Sequence, residues 1–190
     1  MEIIDQGIFT LETNGNVATM NFDTANPKYP AELVKSSFDR ERKNLLRLIG
    51  YKWAPELIEI NPYTMRISFK WYNNTCEKTL PADWKEQLEK ITSNLHQEQL
   101  YKPNFYPKCF YVDNNGTIHA FIFYSTSEYS EQPIDMDFYK PILNDDRLEL
   151  VTKLETDGKL DMSVLIKHAF NDYIEWPDFA LREIYKRVYE

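Results

Sequence analysis

The amino-acid sequence predicts an α+β chain, with a β-rich part over 1–72 and a mainly helical part over 73–190. Three observations carry that expectation. Two apolar, β-branched runs flank Asn14-Gly15, a dipeptide favoured in two-residue hairpin turns. Farther along, Trp84, Leu88, Ile91 and Leu95 stand at i, i+4, i+7 and i+11, the spacing of one helix face. Between them the polar bend Asn73-Asn74-Thr75 marks the change of character.

Taken in order, Glu2 to Thr13 reads as a first strand and Val17 to Thr24 as its return. Asn26, Pro27 and Pro30 mark a loop, after which Glu32 to Lys35 reads as a third short strand. Ser36-Ser37 then caps a helix over Phe38 to Ile49, stopped by Gly50. Leu57 to Ile60 and Met65 to Trp71 make two more strands around Asn61-Pro62, giving the order βββαββ. In the second part, Asp83 to Gln97 is helical, and two short strands surround Asn114-Asn115-Gly116. Helices are expected over Asp145 to Thr156 and Met162 to Ile174. A last one, from Pro177, carries Leu181, Ile184, Tyr185 and Val188.

Composition narrows the function classes. The 190 residues are 43% apolar and 15% aromatic, enough to bury a sizeable core in one large domain or one bilobal unit. A net charge of -8 argues against a nucleic-acid binder, which needs a basic face. No window is apolar for long enough to cross a membrane, and MEIIDQGIF lacks the basic start of a signal peptide. The expectation is a soluble, cytoplasmic protein with no membrane or nucleic-acid partner. Its lysine- and asparagine-leaning composition suits a virus or another AT-rich genome, which would place it in a host cytoplasm. Cys76 and Cys109 form no CxxC and read as small buried hydrophobes, and His96, His119 and His168 are scattered, so no metal site is expected.

Five stretches in sequence carry a resemblance. "ELVKSS" is similar to the strand bearing a kinase lysine, which makes Lys35 the candidate. "ERKNLLRL" is similar to the helix after that strand, with Glu41, Leu45 and Leu48 in the family pattern. "MRISFKWYNNT" looks like the strand and hinge that hold adenine, with Phe69 as gatekeeper and Lys70, Trp71 and Tyr72 as hinge. "QLEKITSNLH" resembles the helix before the catalytic loop. "KPNFYPKCFYV" has the length and apolar ending of H-R-D-L-K-x-x-N-I-L-V, and "IFY" stands where the family has D-F-G. The chain thus resembles the protein-kinase-like superfamily, as a degenerate member. The resemblance implies a small bilobal fold, with an antiparallel sheet and one helix in the first lobe and a reduced helical second lobe. It places the cleft between Lys35 and Ile122.

The same alignment puts Asn104 at the catalytic aspartate, Cys109 at the metal-binding asparagine and Ile122 at the metal-binding aspartate. Phosphoryl transfer needs Mg²⁺ on the phosphates and a carboxylate on the nucleophile. Ile122 offers no oxygen, Cys109 is a soft donor, and Asn104 cannot accept a proton. The glycine-rich loop is missing as well, "ETNGNVA" having one glycine. The resemblance therefore implies a pseudokinase that acts as a binding or regulatory module on a protein partner. ATP would be bound weakly or without metal, at Lys35, Glu41, Phe69, Lys70, Trp71 and Tyr72. Two alternatives stand beside it. One is an active atypical transferase recruiting Asp113, Asp135 or Asp137, and the other is an α+β protein-interaction domain with no nucleotide site.

Overall fold

The computed structural model describes residues 2–5, 7–72, 74–76, 78–102, 105 and 107–128, with 153, 156–158 and 166. The chain is α+β with an antiparallel sheet. It divides into two compact units, Met1–Pro81 with Lys108–Ser125, and Ala82–Pro107 with Thr126–Glu190. The hairpin around Gly116, expected in the helical part, therefore belongs to the first unit. The helices expected over 145–156, over 162–174 and from Pro177 lie outside the described residues, isolated positions apart.

The first unit holds strands β1 (Glu2–Asp5), β2 (Thr10–Asn14), β3 (Val17–Asn21), β4 (Leu57–Asn61) and β5 (Arg66–Lys70), with helix α1 (Ala31–Arg47) between β3 and β4. The sheet order is β1-β2-β3-β5-β4, antiparallel throughout. Leu11, Ala18, Met20, Ile67 and Phe69 are buried at alternate positions of β2, β3 and β5, as a half-buried pleat requires. Thr19 and Ser68 pair on the other face, their hydroxyls 2.9 Å apart.

Three expectations need correction here. Glu2 to Thr13 is two strands, because Gly7 turns the chain with φ +83° and Asp5 pairs with Thr10. The next turn is Gly15-Asn16 with Asn14 paired to Val17, one residue later than expected, and Gly15 carries the positive φ of a type II′ hairpin. Glu32 to Lys35 is not a strand but the first turn of α1. Pro30 sits at the N-cap with an extended ψ of 136°, and its carbonyl accepts from Leu33 and Val34. From there Val34, Phe38, Glu41, Leu45 and Leu48 follow at i, i+4, i+7, i+11 and i+14, one unbroken buried stripe. The tertiary pattern thus extends the helix through Ser36-Ser37. Gly50, at φ +104°, follows the end of the helix.

The hairpin completing this unit is β7 (Phe110–Val112) and β8 (Ile118–Ala120), preceded by a 3₁₀ turn over Pro107–Cys109. It is joined to the rest through backbone: Cys76 N–H to Phe110, Val112 N–H to Asn74 and Ala120 N–H to Trp53, at 3.1, 2.7 and 3.0 Å. Phe69, Trp71, Tyr111 and Phe121 form a four-ring cluster with centroids 5.0–6.1 Å apart, all nearly inaccessible to solvent. Such pairs add about 0.5–1.5 kcal/mol each beyond the area they bury.

The second unit contains helix α2 (Trp84–Gln97) and the short pair β6 (Leu100–Tyr101) and β9 (Ser127–Glu128). Asp83 is the N-cap residue, and Leu88, Ile91 and Leu95 are buried, as the spacing predicts. Among the described residues no helix is long and apolar enough to cross a membrane.

Candidate functional site

Helix α1 presents one charged group on its buried stripe. Glu41 is fully buried, and its Oε2 accepts the Phe123 amide at 2.5 Å. One turn later, Asn44 donates its Nδ2 to the Phe123 carbonyl at 3.1 Å. Both backbone groups of Phe123 are therefore held by side chains of one helix. A carboxylate accepting a backbone N–H makes a charge-assisted bond, stronger than a neutral one.

The segment so held begins at a strained residue. Ile122 has φ +69° and is 2% exposed. Left-handed backbone is sterically costly for a β-branched side chain, whereas Asn, Asp and Gly accept it. The preceding residue, Phe121, donates its amide to the Cys109 carbonyl at 3.0 Å. Cys109, Ile122 and Glu41 are thus brought to one place. Asn104 lies outside the described residues.

Lys35 is not part of it. It is exposed, on the same helix as Glu41 and six residues earlier, which at about 100° per residue puts the two on different faces. The expected cleft between Lys35 and Ile122 is not formed by these side chains. The strand that does stand third in the chain is β3, and it reads Val17-Ala18-Thr19-Met20. Kinase lysines sit in V-A-I-K on the third strand. Met20 is fully buried. The loop before β2 carries one glycine, Gly7, at φ +83°.

The expected hinge is occupied by its own chain. Phe69 belongs to the four-ring cluster. Lys70 N–H bonds Glu56 at 2.9 Å and Trp71 N–H bonds Asn16 at 2.7 Å, so these two amides are engaged by backbone carbonyls. Tyr72 stacks on Tyr111 and His119, with ring centroids 6.2 Å away in both cases. The Lys70 ammonium stands 5.6 Å from the Tyr72 ring centre and 3.1 Å from Glu56 Oε2. Tyr72 and then Glu56 hold it above its ordinary pKa.

Asp113 is committed to the hairpin. Its Oδ1 accepts the amides of Asn115 and Thr117, both at 2.8 Å, and Oδ2 lies 3.4 Å from His119 Nε2. The other His119 nitrogen, Nδ1, is 3.2 Å from the Ala54 carbonyl. Asp135 and Asp137 lie outside the described residues. Burial pushes the Cys76 thiol up to about 12, which keeps it from acting as a thiolate near neutral pH. Among the described residues no group of three or more His, Cys, Asp or Glu side chains is arranged to hold a metal ion.

No protein-family model matches the chain, and no curated protein matches its sequence.

Proposed function

We propose that this chain is a kinase-like module that binds a protein partner and lacks efficient phosphotransfer. The observation that carries the reading is the hydrogen bond from Phe123 N–H to Glu41. It joins the helix between the third and fourth strands to the residue after Ile122, the place of the metal-binding aspartate in the resemblance. The sheet order, the third-strand run Val17-Ala18-Thr19-Met20 and the closeness of Cys109 to Phe121 support the same reading.

On that reading each chemical duty has lost its side chain. Met20 stands for the lysine that would pair with Glu41 and the phosphates, Ile122 for one metal ligand and Cys109 for the other. None of the three supplies a cation or a hard oxygen. With methionine at the lysine position, Glu41 serves as a structural clamp on Phe123. ATP binding is therefore expected to be weak and independent of Mg²⁺. The second reading, an interaction domain with no nucleotide site, is favoured by the self-bonded amides of Lys70 and Trp71.

Two measurements test the proposal. Intact-mass analysis after long incubation with ATP and Mg²⁺ or Mn²⁺ should find no added phosphate. A double-mutant cycle on Met20→Lys and Glu41→Gln tests the geometry without any ligand. A lysine restored beside Glu41 should be tolerated better with the carboxylate than without it, with a coupling of about 1 kcal/mol or more. Zero coupling removes Met20 from the lysine position and favours the interaction-domain reading. Stoichiometric phosphorylation would make the chain an active transferase.

A further inference from the structure

The loop between β1 and β2 is unlike an ordinary hairpin connection. Such loops run over the surface and are polar, yet Ile8 and Phe9 are each only 2% exposed. The Phe9 ring lies 5.3 Å from Phe22 and 6.0 Å from Tyr124, edge-on to the latter. Phe22 in turn meets Phe38 of α1 at 5.6 Å. Gly7 makes the inward course possible. Its φ is +83°, and a Cβ there would come 3.1 Å from the Tyr29 hydroxyl. The loop therefore dips into the unit and leaves its aromatic ring against Tyr124, two residues beyond Ile122.

We propose that this loop is a built-in occupant of the nucleotide site, with the Phe9 ring filling the place of the phosphates and keeping the site closed. The inference rests on the kinase-like reading, in which a glycine-rich loop covers the phosphates and Tyr124 stands at the glycine of D-F-G. A mobile glycine loop can open for a ligand, but Phe9 is held by rings from the end of β3 and from the 121–124 segment. Binding a nucleotide requires that ring to leave an apolar site for water, which works against affinity. The weak nucleotide binding expected of the wild type is then built into the fold. Truncating Phe9 both loosens the loop and vacates the space.

Melting curves of the full chain test this, for wild type, Phe9→Ala and Phe9→Leu, each alone, with ATP, with adenosine and with indole. Phe9→Ala should melt lower than wild type. Nucleotide should then raise its midpoint by about 2–4 °C at about five times the dissociation constant. Wild type and Phe9→Leu should not move. If Phe9→Ala does not fold, Phe9→Val takes its place, with a smaller rise expected. A wild type that responds as strongly as the alanine variant overturns the plug and leaves the kinase-like reading standing. A folded Phe9→Ala that accepts indole but ignores ATP and adenosine shows a cavity without nucleotide recognition, and overturns the plug too. In that case, coupling between Met20→Lys and Glu41→Gln tells whether the kinase-like reading falls with it.

Discussion

Glu41 and Phe123, 82 residues apart in the chain, meet through a carboxylate on a helix and a backbone amide, both shut away from water. Removing the carboxylate leaves the Phe123 N–H buried without its acceptor. Glu41→Ala should therefore cost about 2–4 kcal/mol, and Glu41→Gln, which keeps an oxygen in reach, about half of that. Urea unfolding of the three proteins is the check. Equal losses would mean that the side chain matters here only as volume.

The left-handed backbone at Ile122 gives a prediction of sign. Glycine is ordinarily worse than alanine by about 0.5–1 kcal/mol, because it frees the unfolded chain. At φ +69° the order should invert, with Ile122→Gly more stable than Ile122→Ala by about 1 kcal/mol. Both remain less stable than wild type, since a buried isoleucine has been removed. Alanine coming out ahead would argue against a left-handed residue here.

Asp113 sets a limit on the acid side. Burial by itself raises its pKa, but the Thr117 and Asn115 amides and then His119 outweigh burial and hold it below the ordinary value. A depressed carboxylate stabilises the folded state above its unfolded pKa, near about 3.9, and that stability is lost as pH falls through the folded value. Asp113→Ala should be less stable than wild type by about 1–2 kcal/mol at pH 7. The gap should narrow below about pH 4, as the wild-type carboxylate takes up its proton. A gap that is unchanged at pH 3 would put the contribution in something other than the charge.

Lys35 provides the control. It is exposed on α1 and away from the buried stripe, so Lys35→Ala should change stability by less than about 0.5 kcal/mol. Nor should it alter the response of Phe9→Ala to ATP. A lost response would return Lys35 to the site.

The sequence displayed the elements better than their order. Strands β3, β4 and β5, the helix around Glu41, helix α2 and the Gly116 hairpin are local patterns of period two or 3.6 with turn residues between them, and these were legible. What was not legible was the inward turn at Gly7, because Ile8 and Phe9 read as ordinary strand residues. Hiding that turn merged two strands into one and left the third strand to be sought at Glu32 to Lys35, which is the first turn of α1. The Pro30 start of α1 was lost for a related reason. Val34 and Phe38 belong to one helical stripe, but the serines between them read more naturally as a cap. Phe9 against Tyr124 and Glu41 against Phe123 join residues about a hundred positions apart, and no window of sequence contains both partners.

The first unit is made of two stretches of chain, with Ala82–Pro107 between them. On a ribosome, Glu41 is therefore made well before Phe123 exists. At about 5–20 residues per second, the interval across 82 residues is about 4–16 s. Throughout it the carboxylate lacks the Phe123 amide, and burying it early would be costly, so it favours an α1 face that stays hydrated. The acid should therefore delay assembly, admitting the helix to the core once the hairpin and Phe123 arrive. Stalled chains ending just before Phe123 should be cut readily by protease within 31–47, and chains extended past Ser125 should not. Replacing Glu41 by leucine should let the shorter chains compact ahead of time.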